Sequence, residues 1–136
     1  HFFVGGLTYS GHPLAMAAIV ATLDAMEEEG IVENADSVGN GPLAEGLQRL
    51  AERHALIGDW RGVGVFHALE LVSDPVRKTP LPGSEVLKLK QQLMEHGLLV
   101  FTVENRIHVV PPCTVTAAEV EEGLAILERV FAEYAA

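Results

Sequence analysis

Hydrophobic positions recur along the chain at two periods. The clearest helical pattern is the last: Val120, Leu124, Leu127, Phe131 and Tyr134 step by 4, 3, 4 and 3, which is one face of an amphipathic helix. Thr116, three residues ahead of Glu119, has the spacing of a capping box and marks where that helix starts. Leu43, Leu47, Leu50 and His54 form a second face, within a helix predicted over about 31–54. Gly39, Gly41 and Pro42 predict a break near its beginning. A third helix is predicted over 84–96, with Val86, Leu89 and Leu93 inward and Gly97 as its stop. The run Leu14–Glu29 is different. It opens at Pro13, ends at Gly30, and is rich in Ala with Met16, Ile19, Val20 and Leu23 interspersed. A helix apolar on most sides is one that expects burial.

Between the helices the period shortens to two. Residues 57–61 and 63–71 read as strands around Gly62 and Gly64, with Val63, Val65 and His67 alternating against Phe66 and Ala68. Residues 98–103 and 106–110 read as two more strands, joined by a turn at Glu104-Asn105 and ended by Pro111-Pro112. The stretch from Ser73 to Gly83, with three prolines, predicts a surface loop. The order is helix, helix, strand, strand, helix, strand, strand, helix. It predicts a small antiparallel sheet covered by helices, in the α+β class.

Composition narrows the function. At 136 residues and 49% hydrophobic, the chain can bury a core. Nine basic against 19 acidic residues leave a net charge of −10, which repels phosphate backbones and argues against a nucleic-acid partner. No apolar run is long enough to span a bilayer, so no membrane partner is expected. One cysteine, Cys113, gives no internal disulfide and no thiolate-rich zinc site. No targeting signal is evident, and the cytoplasm is the expected setting.

The candidate chemistry is sparse. The six histidines form no HxxxH or HExxH pair, and His67 and Glu70 point to opposite faces of a strand, so no metal site is expected. Arg61-Gly-Val-Gly64 lacks the third glycine of a dinucleotide loop, and close strand packing explains it better. Ser10, His12 and Cys113 have no context for nucleophilic catalysis. Gly6-Leu-Thr-Tyr-Ser-Gly-His-Pro13 stands apart. Glycines and hydroxyls just ahead of a helix can bind an anion such as phosphate, or simply cap the helix.

That segment, followed by its Ala-rich helix, resembles the hallmark of class III pyridoxal-phosphate-dependent aminotransferases, the ω-transaminase group. Ile57-Gly-Asp-Trp-Arg-Gly-Val-Gly64, Ala68-Leu-Glu-Leu-Val72, Gly97-Leu-Leu-Val100, Asn105 to Pro112 and Thr114-Val-Thr116 resemble the later family segments in order and spacing. The resemblance implies a fold-type I enzyme of which this is the C-terminal part. Residues 1–30 would be the tail of the large domain and the helix between domains, and residues 31–136 the small α+β domain. The start at His1-Phe2-Phe3 then reads as a cut inside a longer chain.

The resemblance also implies roles. Thr8 and the neighbouring Leu7 backbone N–H would bind the cofactor phosphate of the opposite subunit, in a homodimer. Lys78, Lys88 and Lys90 match no catalytic motif. The Schiff-base lysine is therefore expected upstream, and this portion alone is expected to be inactive. The reaction would move an amino group from an amine or amino acid to a keto acid such as pyruvate. Some ω-transaminases bind the substrate carboxylate with an arginine where this chain has Phe101. Arg106 nearby is the candidate for that task. His12 is transaminase-like, where related aminomutases tend to have asparagine. Trp60 replaces the usual aliphatic residue. Two alternatives stand beside this reading: an aminomutase of the same fold, and a non-catalytic α+β dimerisation module.

Overall fold

The computed structural model describes residues 5–6 and 8–135. The chain divides into two compact units, His1–Val32 and Glu33–Ala136. The first is dominated by one helix, α1 (Pro13–Glu28). Proline opens it where a missing N–H costs nothing, and Gly30 follows at φ +61, a left-handed geometry that glycine adopts without strain. Its apolar composition predicts burial, but none of its residues is buried in this portion: Leu14 and Leu23 are 75% and 59% exposed.

The predicted second helix is in fact two. α2 (Ile31–Val38) and α3 (Ala44–Arg53) are separated by a π-type turn over Gly39–Leu43, in which Gly41 leaves helical geometry and Pro42 cannot donate. The break lets α3 turn its stripe of Leu43, Leu47, Leu50 and His54 inward, and all four are buried. β1 (Ile57–Val63) and β2 (Phe66–Asp74) follow as an antiparallel hairpin. The turn sits at Gly64-Val65, and β1 runs two residues beyond the sequence-based strand end at Arg61. β1 continues through Gly62, because only Gly64 takes positive φ (+54).

The predicted loop after β2 holds a short strand, β3 (Thr79–Pro80), paired with β2, and it buries Leu81. α4 (Gly83–Glu95) runs to a left-handed Gly97. β4 (Phe101–Val103) is shorter than the sequence pattern implies, and β5 (Arg106–Val109) pairs with both β4 and β2. α5 (Ala117–Ala135) closes the chain. The sheet order is β1-β2-β5-β4, with every pairing antiparallel, so the α+β expectation holds.

Register assigns each side chain to a face. Leu69 pairs with Trp60 and with Ile107, so these three share the inner face with His67 and Leu71. α3, α4 and α5 cover it with Leu47, Leu89, Leu93, Leu127, Val130 and Phe131, all fully buried. The predicted capping box is present: Glu119 accepts from the Thr116 N–H and hydroxyl, both at 2.8 Å, and its own N–H donates to the Thr116 hydroxyl at 3.3 Å. The Thr116 N–H, then its hydroxyl, hold the Glu119 carboxyl below the usual carboxylate range. A group with a lowered folded pKa stabilises above its unfolded pKa and stops doing so as pH falls through the folded value. Glu119→Ala is therefore expected to lower the unfolding midpoint at neutral pH. The difference from wild type should shrink and vanish on acidification. A pH-independent difference would mean that the side chain acts by packing.

Candidate cofactor-phosphate turn and the outer face of the sheet

Thr8 lies on an exposed turn that runs into α1. The His12 N–H donates to the Tyr9 carbonyl at 3.3 Å, and Gly11 sits at φ +74, which is where a type II turn requires glycine. The helical ladder begins with the Met16 N–H donating to the His12 carbonyl at 3.0 Å. The N–H groups of Leu14 and Ala15 therefore lie ahead of the ladder. His12 makes no side-chain cap, and the first turn of α1 carries no acidic residue. A hydroxyl, a turn and a positive helix end without a carboxylate of their own are a donor set that fits a phosphate. Leu7, the other residue assigned to the phosphate, lies outside the described residues.

Two of the three lysines, Lys78 and Lys88, are engaged elsewhere. Lys78 donates to the Gly58 carbonyl at 2.6 Å. Lys88 donates to Glu85 at 2.8 Å, and that partner raises its pKa, the opposite of what a nucleophilic amine needs. The histidines are dispersed as well. His54 pairs with Glu128 at 3.1 Å on α5, and His67 donates through Nε2 to the Gly64 carbonyl at 2.7 Å. His96 lies 3.8 Å from Glu133. Among the described residues, no group of three or more His, Cys, Asp or Glu side chains could hold a metal. No helix among them is long and apolar enough to cross a membrane.

The remaining candidate, Arg106, is on the outer face of the sheet, because it pairs with Glu70 and Val103, whose neighbours Leu69 and Thr102 face inward. Its guanidinium donates to Glu104. Further along the same end, Arg61 bonds Glu70 at 2.9 Å and also Asp59, and Glu70, then Asp59, raise its pKa. The other end of this face is apolar. His108 lies between Phe101 and Phe66, with ring centroids 5.5 and 6.3 Å away in edge-on geometry. Phe66 and Phe101 are 59% and 65% exposed. This grouping escaped the sequence reading. Its signal is the alternation of Arg106 and His108 against Ile107 and Val109, which becomes informative only once β5 is paired with β2.

The fold, helices packed on one side of a small antiparallel sheet and preceded in sequence by a glycine-and-hydroxyl turn and an apolar helix, matches that of solved fold-type I transaminases. An amine transaminase from an uncultivated Pseudomonas species, solved in its PLP-bound form, superposes with a TM-score of 0.86 at 40% identity. The match covers 98% of this chain and 30% of that one. The chain belongs to the class-III aminotransferase family, whose model matches residues 3–131. It is 39% identical to the 5-aminovalerate aminotransferase DavT of Pseudomonas aeruginosa over 96% of its own length and 32% of that protein's. It is 42% identical to the acetylornithine aminotransferase of Gloeobacter violaceus, over 92% of its length and 29% of that relative's. The chain thus spans about a third of the length of these relatives. The family and the bound neighbour support pyridoxal phosphate as the cofactor.

Proposed function

We propose that this chain is the C-terminal portion of a homodimeric, cytoplasmic aminotransferase. The whole enzyme moves an amino group from an amine or amino acid to a keto acid such as pyruvate. The observation that carries this reading is the family match over 3–131, which includes the Thr8 turn and its following helix. Residues 1–30 are then the tail of the large domain and the interdomain helix, and residues 31–136 the small domain. When bound, pyridoxal phosphate supplies an electron sink for breaking a bond at the amino-bearing carbon. This chain's share is to hold it. The Thr8 hydroxyl and the Leu7 N–H bind the phosphate of the cofactor in the opposite subunit, and the N-terminal end of α1 adds its dipole.

The amine that carries the cofactor lies upstream, and this portion has no turnover of its own. The test is expression of the complete reading frame followed by a search for a cofactor absorbance band that sodium borohydride abolishes. A full-length protein without such a band would sink the reading.

Arg106 is the candidate for the substrate carboxylate. Binding there exchanges Glu104 for the substrate, since the guanidinium fork can grip two oxygens at once. Arg106→Gln in the full-length enzyme is expected to raise KM for a carboxylate substrate about tenfold, the effect of losing roughly one charged hydrogen bond. The half-reaction with a plain amine, followed without a keto acid, should be untouched. Equal losses on both substrates would remove Arg106 from the site.

A further inference from the structure

The break between α2 and α3 holds chemistry that the proposed function does not use. It contains an asparagine followed directly by a glycine, Asn40-Gly41. Asparagine occurs at two other positions, and there the next residue is bulkier: Ala35 after Asn34, and Arg106 after Asn105. Glycine has no side chain to hinder its own peptide nitrogen. Asn40 is exposed, and a Cβ built on Gly41 would meet nothing within 4 Å. Gly41 also leaves helical geometry, at φ −97 and ψ −106, and Pro42 beyond it has no N–H to donate. The regular ladder that stiffens a helix is therefore interrupted at this dipeptide. The Asn40 side chain is meanwhile polarised at both ends. Its Oδ1 accepts from the Gly64 N–H at 2.8 Å, and its Nδ2 donates to Asp36 Oδ1 at 2.7 Å. A donor on the amide oxygen stabilises the negative charge that develops there when the carbonyl carbon is attacked.

We propose that Asn40-Gly41 is a self-modification site, where the side-chain amide is converted to an acid with water as the only co-reactant. The Gly41 nitrogen attacks Asn40 Cγ. The new N–Cγ bond closes a cyclic imide as the Cγ–Nδ2 bond breaks. The proton of the Gly41 N–H passes to the departing nitrogen, which leaves as ammonia. Water then opens the imide at either carbonyl and leaves aspartate or isoaspartate at position 40. Nothing is oxidised or reduced. The Gly64 N–H serves the oxyanion of the first step. Either product alters the hairpin tip. The new carboxylate faces Asp36 where an amide had donated, so like-charge repulsion replaces a hydrogen bond. Isoaspartate also adds a carbon to the main chain beside Gly39, whose backbone already stands against Gly64 and Val65. The tip and the π-type turn separate more easily after conversion.

The test incubates the full-length enzyme at physiological temperature and follows all three asparagines by peptide mapping, with aspartyl and isoaspartyl products separated by chromatography. Position 40 is expected to convert at least about tenfold faster than positions 34 and 105. It should also convert no more slowly in the native enzyme than in the urea-unfolded chain. An amide at position 40 that outlasts its urea control would show that the fold protects it, and would overturn the proposal. Isoaspartate among the products supports the imide route, because direct hydrolysis gives aspartate alone; its absence would overturn that route. Gly41→Ala is expected to slow position 40 to the rate of position 34, and an unchanged rate would remove the Gly41 nitrogen as the attacking group. The consequence is read by thermal unfolding of unaged variants. Asn40→Asp is expected to lower the midpoint, and adding Asp36→Asn to restore it. Failure to restore would overturn the claim that like charges loosen the tip.

Discussion

Gly39→Ala is expected to cost roughly 3 kcal/mol of stability, more than an ordinary surface change and near the upper end for overpacking. The reason is a backbone-to-backbone approach. A Cβ on Gly39 would stand 2.6 Å from the Val65 nitrogen and closer still to the Gly64 carbonyl. Neither atom belongs to a flexible side chain, so relief requires the hairpin tip to move. The tip is tied down on three sides. The Gly64 N–H donates to Asn40 Oδ1 at 2.8 Å, the Gly64 carbonyl accepts from His67 Nε2 at 2.7 Å, and Gly64 itself holds φ +54. Moving it therefore disturbs the π-type turn, the β1–β2 register and a buried histidine together. Gly83→Ala is the control. Nothing lies within 4 Å of its new Cβ at the start of α4, and helix propensity makes the change neutral or slightly stabilising, by up to about 0.5 kcal/mol. Thermal unfolding of the full-length variants should show a clear fall for Gly39→Ala and none for Gly83→Ala. Equal midpoints would mean that the tip yields more easily than its bonds suggest.

The same contact explains what the sequence could and could not say. Local rules found the helices because their causes are local. The stripe from Leu43 to His54 is buried as its spacing demands, and the Thr116–Glu119 box caps α5. The hairpin tip is two residues from where alternation placed it because its position is set by Gly39 and Asn40, which are distant in sequence. β3 hides among prolines because two residues carry no period. The outer-face group of His108, Phe66 and Phe101 spans three strands and needs their register. The proposal of a phosphate turn rests on something other than local rules. Physical chemistry offered an anion site or a plain cap, and only the likeness of Gly6–Pro13 to a family segment favoured the first.

Replacing Thr8 in the full-length dimer is expected to weaken cofactor binding by about tenfold to a hundredfold. A hydrogen bond to a charged partner contributes roughly 1.5–3 kcal/mol, and each 1.4 kcal/mol is a factor of ten in affinity. Thr8→Val removes the hydroxyl and keeps the shape. Thr8→Ser keeps the hydroxyl and should bind nearly as the parent does. The readout is titration of the cofactor-free enzyme with pyridoxal phosphate, with turnover at saturating cofactor close to that of the parent. The cross-subunit assignment makes a sharper demand. Pair a Thr8→Val subunit with one that has an intact Thr8 but lacks the upstream cofactor-bearing lysine. If Thr8 serves the opposite subunit, the only competent lysine in that mixed dimer faces an intact threonine, and tight binding returns to one site per dimer. If Thr8 serves its own subunit, that lysine is left with valine and binding stays weak. A restored tight site therefore requires phosphate contact across the interface, and its absence would confine the turn to its own chain.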